Sequence, residues 1–282
     1  PPVLRCAGLV ALVMAAFAAN SLLNRAAVGT GAASAAGFAA LRLAAGALAL
    51  WLLCRLRGRG GAQSPRMTVL GAGTLTVYML GFSLAYRSLD AGLGALILFG
   101  AVQITMFCWG VLRGAAPAPV QWAGTGLAFA GLAYVLWPAG AVQVPPGGAA
   151  LMAAAGIGWG GYSLAGRQAP DALGATAVNF FWSAALVLPL ALAAGALQGV
   201  SAYGLLLAVI SGALTSGLGY ALWYRVLPQL DPSLAATVQL SVPVIALIAG
   251  ALLLQEELGL RLLLGTLAVL AGIFTVIRAA PR

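Results

Sequence analysis

The residues able to do chemistry in this chain are few: it has no His, three Cys and five acids. Without imidazole or a Cys cluster it lacks the usual general base and the usual metal-ligand set, so triad and metal enzymes are excluded and no cofactor is expected. Asp90, Asp171 and Asp231 fall between apolar runs, and Glu256 and Glu257 sit at the end of one, where capping or pairing with Arg261 is the plain reading. No carboxylate pair lies inside a run to serve as acid and base, so the chain is read as a non-enzyme. What remains is binding chemistry. Tyr78 and Phe82, then Phe99, then Trp159 and Tyr162, then Tyr220 recur at helical spacing inside apolar runs. Leu would satisfy hydrophobicity alone, so the polar tips point to a wet cavity, with packing between helices a near-equal account. Asn20, Asn24, Gln103, Thr105, Asn179 and Gln239 are polar groups at depth, each needing a hydrogen bond to another helix or to a ligand. Pro243 lies inside a run and cannot donate to the Gln239 carbonyl, which suits an irregular cavity wall as well as a packing kink. Gly100 and Gln103 lie at the matching depth in the first half. The candidate binding set is Asn20, Tyr78, Phe82, Phe99, Gln103, Trp159, Tyr162, Tyr220 and Gln239, with Gly100 and Pro243 as hinges.

The elements that position these residues are long apolar runs. Hydrophobic residues make up 62% of the chain and charged ones 7%, and the mean hydropathy is +1.03. That composition belongs to a multi-pass membrane protein. A helix crossing the ~30 Å hydrocarbon layer needs ~20 residues. Ten such runs fit: Leu4 to Ala26, Ala33 to Cys54, Met67 to Tyr86, Ala91 to Leu112, Pro119 to Trp137, Ala149 to Gly166, Leu173 to Ala196, Ala202 to Val226, Pro232 to Leu254 and Gly259 to Ile277. Short connections leave no room for a soluble catalytic domain. The first run, with Arg5 and the triplet Ala16, Phe17 and Ala18, imitates a signal peptide, yet it aligns with Ala150 to Arg167 far inside the chain. Tyr86, Trp223 and Tyr224, near run ends, read as an interfacial aromatic belt.

The net charge of +9 could suggest nucleic acid, but Arg55, Arg57, Arg59 and Arg66 share one short loop. The positive-inside rule reads that loop, with Arg5, Arg113, Arg167, Arg225, Arg278 and Arg282, as cytoplasmic, placing both termini inside. Arg25, Arg87 and Arg261 fall outside, and Arg42 alone is deep within a run. Cys6, Cys54 and Cys108 collect toward one side, so no disulfide is expected. The partners expected are a small-molecule substrate and the bilayer, with no nucleic acid, for a monomer.

Leu89 to Leu136 aligns without a gap on Leu230 to Ile277, matching Asp90 with Asp231, Gly124 with Gly265, Thr125 with Thr266 and Gly131 with Gly272. Upstream, Gly81, Tyr86 and Arg87 match Gly219, Tyr224 and Arg225, and Ser21 and Arg25 match Ser163 and Arg167. The chain thus reads as two copies of one unit, 1–140 and 141–282, hinged at the uncharged link with Pro145 and Pro146. Five runs per copy is odd, so the second enters the membrane inverted. Inverted repeats place a binding site near the midplane and open it alternately to either side. With no carboxylate in any run to relay protons, the expectation is uncoupled movement down a gradient.

The stretch from Pro243 to Glu256, PVIALIAGALLLQE, and the following helix with Gly265 and Gly272 resemble the EamA branch of the drug/metabolite transporter superfamily. The likeness extends over the whole chain. The first copy departs from the pattern, with Val102 in place of the Pro and Ala115 in place of the Glu. Within the superfamily the chain is most similar to amino-acid exporters of the YddG type. The resemblance implies an all-α membrane protein of ten transmembrane helices in two inverted five-helix repeats, in a bacterial inner membrane. It further implies export of amino acids, including aromatic and hydrophobic ones, and similar metabolites, or alternatively of amphipathic or planar drug-like compounds. It gives Arg42 a structural role in the second helix.

Overall fold

A computed structural model describes residues 2–58, 63–114, 116–137, 144–166, 169, 171–226 and 238–279. They fold into α1 (Pro2–Gly29), α2 (Ala35–Leu56), α3 (Pro65–Ala85), α4 (Ala91–Leu112), α5 (Pro119–Leu136), α6 (Pro146–Gly166) and α7 (Ala172–Ala193). The eighth rod is composite: α8 (Ala202–Val209), a π-helical segment π1 (Ile210–Leu218) and α9 (Gly219–Val226). Then come α10 (Ser241–Leu254) and α11 (Leu260–Arg278). Ten rods result. Seven are long and apolar enough to cross a membrane, and α10 is a shorter apolar helix.

Local chemistry sets the boundaries. Ser34, Ser64 and Ser201 cap α2, α3 and α8, each hydroxyl accepting the backbone N–H three residues on. Pro65 and Pro119 open α3 and α5, where a missing N–H costs nothing. Helix is described at Val238 and Gln239, turns at Leu240 and restarts at Ser241, two residues before Pro243. That interruption falls where the proline denies the Gln239 carbonyl its helical donor. By contrast α4 runs unbroken through Gly100, which packs against Leu132 of α5.

Packing follows a two-fold pattern. α6 contacts α3 and α4, while α1 contacts the α8–π1–α9 rod and α10; α2 pairs with α7, and α5 with α11. Glycines permit these approaches. Cβ atoms at Gly156 and Gly158 would meet the Leu98 carbonyl of α4 and the Thr74 carbonyl of α3, so α6 is wedged between both. Of the matched glycines, Gly124 lies on the Gly272 carbonyl and Gly131 on the Gly265 carbonyl. Each repeat's α5-type helix is therefore the other's partner. The junction near residue 140 lies outside the described residues.

Polarity is reversed relative to a water-soluble bundle. Trp51, Leu56, Phe129, Phe181, Leu186, Leu252 and Leu267 face outward, while Asn20, Asn24, Arg42, Ser83, Asn179, Ser211 and Ser216 are buried. Lipid is the solvent for that surface. Two residues expected in the interfacial belt, Tyr86 and Trp223, are interior instead: both are buried, and the Tyr86 hydroxyl donates to the Ala91 carbonyl at 3.3 Å.

Candidate functional site: an aromatic pocket between the halves

Nine residues converge at the centre: Phe17, Asn20 and Ser21 of α1, Tyr78 and Phe82 of α3, Leu98 and Phe99 of α4, Trp159 of α6 and Tyr220 of α9. The cavity they leave measures about 20 Å³. That is space for about one water, so the rings are closed on each other. Trp159 is the hub, with centroids 4.9 Å from Tyr78, 5.1 Å from Tyr220 and 5.5 Å from Tyr162. Phe17 meets Tyr220 edge-on at 5.7 Å and Trp159 at 6.4 Å. Tyr78 and Phe82 stand 5.3 Å apart.

The repeat explains who meets whom. The register that matches Ser21 with Ser163 also matches Phe17 with Trp159, and the one matching Gly81 with Gly219 matches Phe82 with Tyr220. Of these matched rings, Phe17 and Trp159 meet edge-on, and Phe82 and Tyr220 line the same pocket.

Behind the rings is a hydroxyl-rich wall. The Asn20 Oδ1 accepts hydrogen bonds from the hydroxyls of Ser211 at 2.8 Å, of Thr215, and of Ser216 at 3.4 Å. A π-helix brings these three together: its wider turn holds Ser211, Thr215 and Ser216 toward α1. Its Gly212 lies so close to α2 that a Cβ would sit 2.2 Å from the Arg42 carbonyl. The Arg42 Nε donates to Ser216 Oγ at 3.2 Å, and Nη2 to the Tyr78 hydroxyl at 3.2 Å.

One end of the bundle carries a charged clasp. Arg25 of α1 donates to Asp90 at 3.1 Å and to the Tyr86 carbonyl at 3.3 Å, and its Nε lies 3.5 Å from Glu256. Both oxygens of Glu256 accept the Ala91 N–H, at 2.8 and 3.0 Å, so a residue of the second half caps α4 of the first. Burial pushes the Glu256 carboxyl above its ordinary 4.5, while the Ala91 N–H pulls it down. Arg261, expected beside this glutamate, donates to the carbonyls of Tyr134 and Trp137 at the end of α5.

Of the sequence-predicted set, the structure joins Asn20, Tyr78, Phe82, Phe99, Trp159 and Tyr220 around one pocket. Tyr162 packs on Trp159 from the next turn. Gln103 and Gln239 are half-buried and do not line it. Asn24 bonds Ser83 across α1 and α3 at 2.8 Å, as interhelical glue. Sequence reasoning missed Phe17, although Phe17, Asn20 and Asn24 share one helical face, and it missed the small hydroxyls of π1.

Apolar rods that bury polar groups around an aromatic pocket between two matched halves define a multi-pass membrane transporter. The chain belongs to the EamA-like transporter family, whose model matches residues 146–278. It is 49% identical to the uncharacterized protein PA1977 of Pseudomonas aeruginosa, over 97% of this chain and 94% of that one. It is 28% identical to the uncharacterized transporter YwfM of Bacillus subtilis, over 87% and 84% of the two chains. In shape it matches a crystal structure at a TM-score of 0.69 and 20% identity, covering 97% of this chain and 99% of the other, which shows the shared fold.

Proposed function

We propose that the protein is a bacterial inner-membrane carrier that exports amino acids, aromatic and hydrophobic ones included, and similar small metabolites. It works as a uniporter, by alternating access between its two halves, with both termini cytoplasmic. The observation that carries this reading is the pocket itself: matched rings from the two halves line it with Asn20, and among the described residues no carboxylate does. Aromatic walls take an apolar side chain, and the amide and hydroxyls take polar ends. Without a carboxylate to load and release protons there, the substrate gradient supplies the drive. A cavity of one water's volume, clasped at the end that the arginine distribution assigns to the outside, corresponds to a closed member of the cycle. Rocking one half against the other would part the matched rings and admit substrate.

The test is efflux from proteoliposomes loaded with labelled L-phenylalanine, L-leucine or L-alanine, with and without an imposed pH gradient. Efflux of several amino acids that ignores the gradient is expected. Efflux that requires the gradient refutes uniport, and no efflux of amino acids alongside efflux of a planar dye refutes the substrate class.

A further inference from the structure

Arg42 lies seven residues into α2, about 10 Å along the helix. It is fully buried. Its two hydrogen bonds go to neutral hydroxyls, and its guanidinium carbon lies 5.5 Å from the Tyr78 ring centre and 5.1 Å from that of Phe82. Nη1 meets no acceptor among the described residues. Among the described residues no carboxylate is within ion-pairing distance of it; the recorded pairs belong to Arg25. A guanidinium charge is thus buried against hydroxyls and ring faces.

The two-fold pattern argues that packing alone does not need this charge. Tyr78 and Ser216, the two acceptors, are matched positions in the register that pairs Gly81 with Gly219. The same register sets Arg42 opposite Phe180. Phe180 stands against the ring of Tyr220 at 5.9 Å as Arg42 stands against that of Phe82, the mate of Tyr220. One half fills this place with a phenyl ring, the other with a cation, and the cation is bonded to the wall of the pocket with a donor edge to spare.

We propose that Arg42 is the specificity-determining anchor for the substrate's carboxylate. It rests on the reading of this pocket as the transport site, and it narrows the cargo to molecules carrying an anionic group. Ser216 and Tyr78 hold the fork in orientation, and Nη1, without an acceptor among the described residues, is the donor left for a carboxylate oxygen. The rings then receive the side chain. Binding neutralises the buried charge, so a carboxylate gains more here than an amide of equal shape.

The test is competition with the full chain in proteoliposomes. Counterflow of labelled L-phenylalanine is challenged with 3-phenylpropionate, which keeps only the carboxylate, and with L-phenylalaninamide, which keeps only the amine. In the wild type, 3-phenylpropionate should compete at least tenfold better than the amide. Arg42→Gln should erase that preference, and Arg42→Lys should keep part of it. Equal competition by both compounds in the wild type overturns the proposal whether or not the variants fold. An unchanged preference in folded Arg42→Gln overturns it too. Should L-phenylalanine not be carried, the transport reading fails separately. Quenching of tryptophan fluorescence by 3-phenylpropionate against the amide then decides the anchor: preference for the acid, lost in Arg42→Gln, supports it, and no preference overturns it.

Discussion

Replacing Glu256 with alanine should loosen the end of the bundle where α1 and the α3–α4 and α10–α11 turns meet. The carboxylate caps α4 through the Ala91 N–H and lies 3.5 Å from Arg25. Losing a helix cap costs ~1 kcal/mol. The negative charge at the helix start adds ~0.3 to 1 kcal/mol. The ion pair is partly screened, with Arg25 26% exposed and Glu256 8%, and is worth about 0.5 to 1 kcal/mol. Desolvation lifts the Glu256 carboxyl and so offsets the two charge contributions, leaving the cap as the part that is lost. A net loss of about 1 kcal/mol shifts the balance between clasped and open states roughly 5-fold. The assay is modification of Ser21→Cys, which lines the pocket, by a membrane-impermeant thiol reagent, with Cys6, Cys54 and Cys108 changed to Ser. Glu256→Ala should raise the rate several-fold, and Glu256→Gln should raise it less because its amide oxygen can still cap. An unchanged rate in a folded Glu256→Ala protein would refute the clasp.

The same assay carries a pH dependence. Because the clasped state lifts the Glu256 carboxyl above 4.5, that state binds the proton more tightly than the open one. The clasp is then firmest below pH 4.5 and loosens as pH rises through the elevated value, levelling off above it. The ratio of the wild-type modification rate to that of Glu256→Gln, in which the pH dependence of the thiolate cancels, should climb over that window; a ratio that falls with rising pH contradicts the assignment. Gly272→Leu places a Cβ 2.4 Å from the Gly124 carbonyl and 2.5 Å from the Ala128 nitrogen, so α5 and α11 must part. A loss of about 1 to 3 kcal/mol should appear as a Tm lowered by several degrees in detergent, and an unchanged Tm counts against this packing. Asn20→Leu removes the acceptor shared by Ser211, Thr215 and Ser216, and should lower stability by about 1 to 3 kcal/mol along with transport. Wild-type stability and flux would show that the amide is idle.

Much of the fold was legible because packing demands repetition. Gly124, Gly131, Gly265 and Gly272 recur in register since each lets one helix backbone touch the other, and no larger residue fits. Six of the predicted binding residues share one pocket: five rings at helical spacing inside apolar runs, and one amide, Asn20, that had to find a partner at depth. The remainder depended on tertiary facts. A π-helix has no periodicity of its own in nine residues, so nothing in Ile210–Leu218 announced that Ser211, Thr215 and Ser216 would converge on Asn20. Phe17 lay in a small-residue context resembling a cleavage site. Trp223 and Tyr86, near helix ends, looked interfacial, yet the bundle covers both. The pairing of Glu256 with Arg25 joins residues from opposite halves, which only their docking could bring together.

The central claim, that one aromatic pocket is exposed to each side in turn, is tested most directly by trans-acceleration. Proteoliposomes holding labelled L-phenylalanine are diluted into buffer with or without unlabelled L-phenylalanine. A carrier returning loaded is expected to release label several-fold faster when substrate waits outside, and Trp159→Ala should abolish the effect. Release indifferent to external substrate, or acceleration that survives loss of Trp159, would contradict the account.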